Sequence, residues 1–151
     1  MTKLEHLEQQ LHEKEIYVYN FKISNTKKAM CLRDNGHNYI ALDEPLVASK
    51  SEKVAILAEE LGHFETAALY TIKSTFNTPI ARSNRIKFEA QAMQWAYKHY
   101  LPPWEIKKAL ICYQGDYHLI AEHCQVTIEF LNGAIEYYRS HGIDVSAEHV
   151  V

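Results

Sequence analysis

The apolar residues of this chain change period twice, and that change limits the folds open to it. Leu4, Leu7 and Leu11 recur at helical spacing from Thr2 to about Lys14, which predicts an amphipathic helix. Ile16-Tyr17-Val18-Tyr19-Asn20-Phe21 then reads as a strand, being rich in β-branched and aromatic residues. Ala29 to Arg33 and Tyr39 to Leu42 flank the turn signal Asp34-Asn35-Gly36 and read as a hairpin. The expected product is a three-stranded antiparallel sheet. From Pro45 onward the helical period returns for the rest of the chain, so strands and helices are segregated and the fold class is α+β.

Each later helix carries its own boundary chemistry. Ser49 or Ser51 can cap a helix in which Val54, Ile56, Leu57 and Leu61 are apolar, ending near Thr66. Leu69 to Pro79 reads as an irregular connection. Ile86, Ala90, Met93, Ala96 and Tyr97 mark a long helix from about Ile80 to Tyr100, stopped by Pro102-Pro103. Trp104 to Cys112 begins another, Gln114-Gly115-Asp116 separates it from a short helix ending near His123, and Thr127 caps a last helix to about Ser140, with Gly142 as its stop. Ser146 to Val151 reads as a frayed tail. No repeat or linker interrupts the chain, and 151 residues suit one core. The expected organisation is a core over residues 1–100, C-terminal helices over 101–142 packed on the same domain, and a tail over 143–151.

Charge and cysteine content exclude some functions. Sixteen Lys and Arg against nineteen Asp and Glu give a net charge of -3, so no whole-molecule positive field holds nucleic acid. The pair of helices around Asp116–His123 and Thr127–Tyr138 has the outline of a helix-turn-helix. Its second helix offers Glu129, Asn132 and Glu136, with Arg139 only at its end, which suits packing or protein docking better than base reading. No stretch has the apolar length of a membrane span. The start of the chain has no signal-peptide h-region, so the expected location is the cytoplasm, with no membrane partner. Cys31, Cys112 and Cys124 form no CxxC motif and are expected to be reduced, mostly buried thiols. His99, His118 and His123 share no helix face at ligand spacing and read as structural or exposed.

One segment carries chemistry. In Glu59-Glu60-Leu61-Gly62-His63, Glu59 and His63 lie four apart on one helical face, while Glu60 stands about 100° around the axis. That is the arrangement by which a helix offers two ligands to one ion, with the intervening glutamate placed as general base. Gly62 costs a helix about 1 kcal/mol relative to Ala, which points to the close approach of another segment. Five residues of this kind occur by chance on solvated helices, and the wider match gives them meaning.

The stretch Lys53-Val54-Ala55-Ile56-Leu57-Ala58-Glu59-Glu60-Leu61-Gly62-His63 resembles the active helix of the ImmA/IrrE family of metallopeptidases, common in phages and mobile elements. Arg85, Glu89, Ala90, Ala92, Trp95 and Ala96 resemble that family's next helix, and Glu15-Ile16-Tyr17-Val18-Tyr19 its first strand. Tyr117 to Glu122, Val126 to Leu131 and Tyr137-Tyr138 resemble its C-terminal helices, so the likeness covers nearly the whole chain. It implies a zincin-like fold, a metal shell of Glu59, His63 and Glu89, and Glu60 as the catalytic base. The expected ion is Zn²⁺, with Mn²⁺, Fe²⁺ or no bound metal as the alternatives. The implied substrate is a helix-turn-helix repressor of a prophage or mobile element. The family pattern has His where this chain has Glu59, a form that recurs among phage-borne members. The extra carboxylate makes the shell harder and more negative, which lowers selectivity for zinc and weakens activation of water. An impaired member that binds its repressor without cleaving it is therefore the alternative.

Overall fold

The structure, a computed structural model, describes residues 1–23, 27–66 and 79–146. The expected connection from Leu69 to Pro79 falls on residues 67–78, and the expected tail on residues 147–151, both outside the described residues apart from Pro79 and Ser146. Among the described residues the fold is α+β, with six α-helices and one three-stranded sheet.

Local capping chemistry sets the helix boundaries. The helix α1 (Lys3–Glu13) starts in a capping box, in which Thr2 accepts from the Glu5 amide and the Glu5 carboxylate accepts from the Thr2 amide. Ser49 caps α2 (Lys50–Glu65) by accepting from the Glu52 amide. The long α3 (Pro79–Tyr100) ends just before Pro102, and α4 (Pro103–Tyr113) begins with proline in its first turn. Asp116 caps α5 (Tyr117–His123) and Thr127 caps α6 (Ile128–Ser140).

The strands β1 (Ile16–Asn20), β2 (Ala29–Asp34) and β3 (His37–Leu42) depart from expectation in their order. The sheet runs β1-β3-β2: β2 and β3 form the antiparallel hairpin, but β1 pairs with β3 in parallel, Ile16 opposite Asn38 and Asn20 opposite Leu42. The sheet is mixed rather than antiparallel. Burial explains the choice, because Ile40, Ala41 and Leu42 of β3 are all inaccessible and so take the centre, leaving β1 and β2 as edges. Asn35 and Gly36 both have positive φ, at 50° and 77°, the conformation of a two-residue turn that matches strand twist.

A single cluster of buried side chains runs through these elements. Leu7 and Leu11 of α1 meet Ile40 and Leu42 of β3 and Val54, Leu57 and Leu61 of α2. The cluster continues through Tyr100 and Leu101 to Ile106, Ile120, Phe130, Leu131 and Tyr138. The Tyr138 hydroxyl lies 2.9 and 2.8 Å from the carbonyls of Tyr97 and Leu101, tying α6 to the end of α3. Lys3 ties the start of α1 to α4 through a 2.9 Å ion pair with Glu105. Cys124 is buried, but Cys31 is half-buried and Cys112 exposed, so burial of the thiols is less general than their apolar character suggests.

The contact that positions the site lies between α2 and α3. A Cβ on Gly62 would stand 2.3 Å from the Ala92 carbonyl oxygen, so the two backbones touch. Ala58, Ala92 and Ala96, all fully buried, continue this small-residue seam. Glu89 precedes Ala92 by one turn and Ala96 by two, on the same face of α3. Gly62→Ala should therefore lower stability by about 1–3 kcal/mol, the usual cost of overpacking, although Ala is favoured over Gly in a helix by about 1 kcal/mol. Equilibrium urea unfolding measures the sign, and a stabilised variant would contradict the contact.

Candidate metal centre

Helix α2 carries its three candidate side chains on two faces. Glu59 and His63 project toward α3, and Glu60 projects toward β2. On the α3 side, Glu59, His63 and Glu89 each offer one ligand atom, and these atoms lie within 4.8 Å of one another. His63 Nε2 stands 3.4 Å from Glu89 Oε2. The imidazole is 4% exposed, whereas the Glu89 side chain is 41% exposed, so the cluster has a buried floor and a wet rim.

The electrostatics follow from crowding acids into that space. Burial pushes the Glu59 carboxyl up to about 8; its hydrogen bond with Glu89 and the nearby charges of Glu60 and Glu89 act in the same direction, against the pull of His63. Two carboxyls joined by a hydrogen bond must share a proton between them. Glu60 is also raised, chiefly by burial, and is held back by a hydrogen bond from Cys31 and by His63. Cys31 Sγ lies 2.7 Å from Glu60 Oε2 and 3.2 Å from the Glu60 carbonyl oxygen. The thiol of Cys31 is itself pushed up by burial and by the Glu60 charge, so it keeps its hydrogen and donates it.

The donor set fits a divalent transition ion. Oxygen and imidazole ligands bind zinc at about 2.0–2.2 Å, which places tetrahedral ligand atoms about 3.4 Å apart. His63 and Glu89 already have that separation, and all three ligand atoms lie within 4.8 Å of one another. A cation would also take the place of the proton that Glu59 and Glu89 share, removing the repulsion that raises Glu59.

Sequence spacing could relate Glu59 to His63, but it could not find Cys31. That cysteine sits on a strand 29 residues from Glu60, and no periodicity links the two. His99, His118 and His123 stay apart from the cluster. His99 stacks on Trp95 at 4.0 Å, His123 Nδ1 lies 3.1 Å from the Tyr113 hydroxyl, and His118 is exposed.

Comparison of the chain with family models, with curated proteins and with solved structures finds no match in any of the three.

The raised Glu59 carboxyl has a pH signature. Its folded-state value exceeds the ordinary 4.5, so the folded protein holds this proton more tightly than the unfolded chain. That contribution to the metal-free protein is fully present below about pH 4.5 and is lost as pH rises through about 8. Thermal melts of chelator-treated protein should therefore show declining stability between pH 5 and 9 on the order of that window, flattened in Glu59→Gln. Zinc binding near neutral pH should release about one proton, measured by calorimetry in buffers of different ionisation enthalpy. A wild-type pH profile identical to that of Glu59→Gln would contradict the assignment.

Proposed function

We propose that this chain is a metal-dependent peptidase of zincin-like architecture, and that its substrate is a helix-turn-helix repressor of a prophage or mobile element. The observation that carries the reading is the convergence of Glu59, His63 and Glu89 on one point at the rim of the α2–α3 seam, with Glu60 next to it in sequence. The likeness of the Lys53–His63 and Arg85–Ala96 segments to the ImmA/IrrE family supports both the zincin-like fold and the choice of substrate. When bound, a zinc-type ion supplies Lewis acidity toward a peptide carbonyl and toward water.

The residues of the chain do the rest. Glu59 and His63, one turn apart, present two donors from a rigid helix, and Glu89 closes the set from a second helix fixed by the Gly62–Ala92 contact. Glu60 takes the proton from the attacking water. Burial lifts its carboxyl from the ordinary range, which brings its basicity closer to that of a base working near neutral pH. The partly exposed Glu89 side leaves the cluster open to a polypeptide.

A second reading, a protein that captures the repressor without cutting it, is favoured by one feature: the carboxylate of Glu59 stands where the resembled family has imidazole. Two acids and one imidazole hold an ion with less net positive charge at the reacting centre, which reduces its effect on water.

Two substitutions separate these readings. Glu60→Gln keeps size and hydrogen bonding but removes basicity. In a peptidase it should lower metal-dependent cleavage of the repressor encoded beside the gene by about 10²- to 10⁴-fold, with metal content and melting temperature unchanged. Glu59→His should strengthen zinc binding and raise cleavage if the native shell is only weakened. Absence of cleavage by every form, with tight repressor binding by all, would retire the peptidase in favour of the binder.

A further inference from the structure

The carboxylate assigned as the base has a partner that the metal cluster does not use. Cys31 lies on β2, opposite Ile40 of β3, and reaches across from the sheet to α2. Its sulfur is 2.7 Å from Glu60 Oε2 and 3.2 Å from the Glu60 carbonyl oxygen. A thiol has one hydrogen, and the sulfur stands nearer the side-chain oxygen than the peptide carbonyl that already serves the helix, so the hydrogen belongs on the Glu60 side chain.

We propose that Cys31 is a positioning residue for Glu60: its S–H, donated from the edge strand, fixes which way the Glu60 carboxylate points beside the Glu59, His63, Glu89 cluster. The proposal rests on Glu60 being the base. Three observations favour this role over others open to a thiol. Cys31 is outside the set of donors that converge on one point, which excludes it from that shell. It is half-buried among acidic groups, which keep the sulfur protonated and therefore a poor nucleophile. Among the described residues, the polar atoms within hydrogen-bond distance of its sulfur both belong to Glu60.

The physical need is clear from the geometry of α2. Glutamate has three rotatable side-chain bonds, and Glu60 stands about 100° around the helix from the Glu59–His63 face. Without an anchor its carboxylate would spread over several rotamers. A donor on β2 engages Oε2, which assigns the proton-accepting role in this proposal to the other oxygen, Oε1. The weak acidity of a thiol suits this task, because it holds the carboxylate without the strong stabilisation of the charged form that a lysine or arginine would bring.

The test uses the full chain under reducing conditions, with Cys31→Val, which has similar volume and no donor, and Cys31→Ser, which restores a donor. Infrared spectroscopy of the S–H stretch reads the bond without reference to activity. The band lost in Cys31→Val should move when Glu60 is changed to Gln, because a neutral amide accepts more weakly than a carboxylate. In zinc-dependent cleavage of the adjacent repressor, Cys31→Val should lower kcat about three- to tenfold with KM unchanged, the effect expected of one weak thiol hydrogen bond's worth of orientation, and Cys31→Ser should recover it. An S–H band indifferent to Glu60→Gln overturns the proposal while cleavage by the native protein leaves the peptidase intact. A band that moves with kcat unchanged in Cys31→Val overturns it as well, by showing a bond without consequence. A band that moves in a protein that never cleaves removes the base, and the positioning role with it.

Discussion

The approach of α2 to α3 at Gly62 is the contact on which the rest of the site depends. A side chain at residue 62 would meet the Ala92 carbonyl oxygen at 2.3 Å, so the seam closes only because residue 62 is glycine and its neighbours are alanines. That closeness turns two sequence-distant acids into neighbours. Glu59 and His63 flank Gly62 on one helix, and Glu89 lies one turn before Ala92 on the other. The conformational cost of a helical glycine, about 1 kcal/mol, is thus offset by the packing it permits.

What this packing creates is a crowding of acidic groups. Three glutamates and one histidine are drawn together beside a thiol, and the carboxyls respond by rising from their ordinary values. In the metal-free protein the raised Glu59 carboxyl holds its proton toward neutral pH, which relieves the repulsion. A divalent cation relieves it better, because it carries twice the charge and accepts all three donors at once. The same crowding gives Glu60 a basicity above that of a surface carboxylate. The acidic cluster and the raised Glu60 carboxyl are two consequences of one close helix pair set against one strand.

The parts of this arrangement that were legible in the sequence are the local ones. Thr127, and Ser49 as one of two candidate serines, announce helix starts because a cap is a contact between residues three apart. Asn35-Gly36 announces a hairpin because both residues tolerate positive φ. Glu59 and His63 share a face by helical geometry alone. The place of β1 was not legible, since strand order is decided by which strand is most buried, and the inaccessible Ile40-Ala41-Leu42 run of β3 claims the centre. Glu89 entered only through a resemblance, because nothing in spacing says how α3 returns to α2. Cys31 stayed hidden for the same reason: a thiol on a strand looks like a small hydrophobe until its acceptor is seen. Cys112 shows the converse, an apolar residue type left on an exposed helix face.

The central claim is that Glu59, His63 and Glu89 form one ion site, and anomalous diffraction tests it most directly. Crystals of protein purified without chelator, measured above and below the zinc edge, should show one peak between His63 Nε2 and the two carboxylates, with ligand distances of about 2.0–2.2 Å. Crystals soaked in zinc that show the ion elsewhere, or no peak at this cluster, would contradict the account.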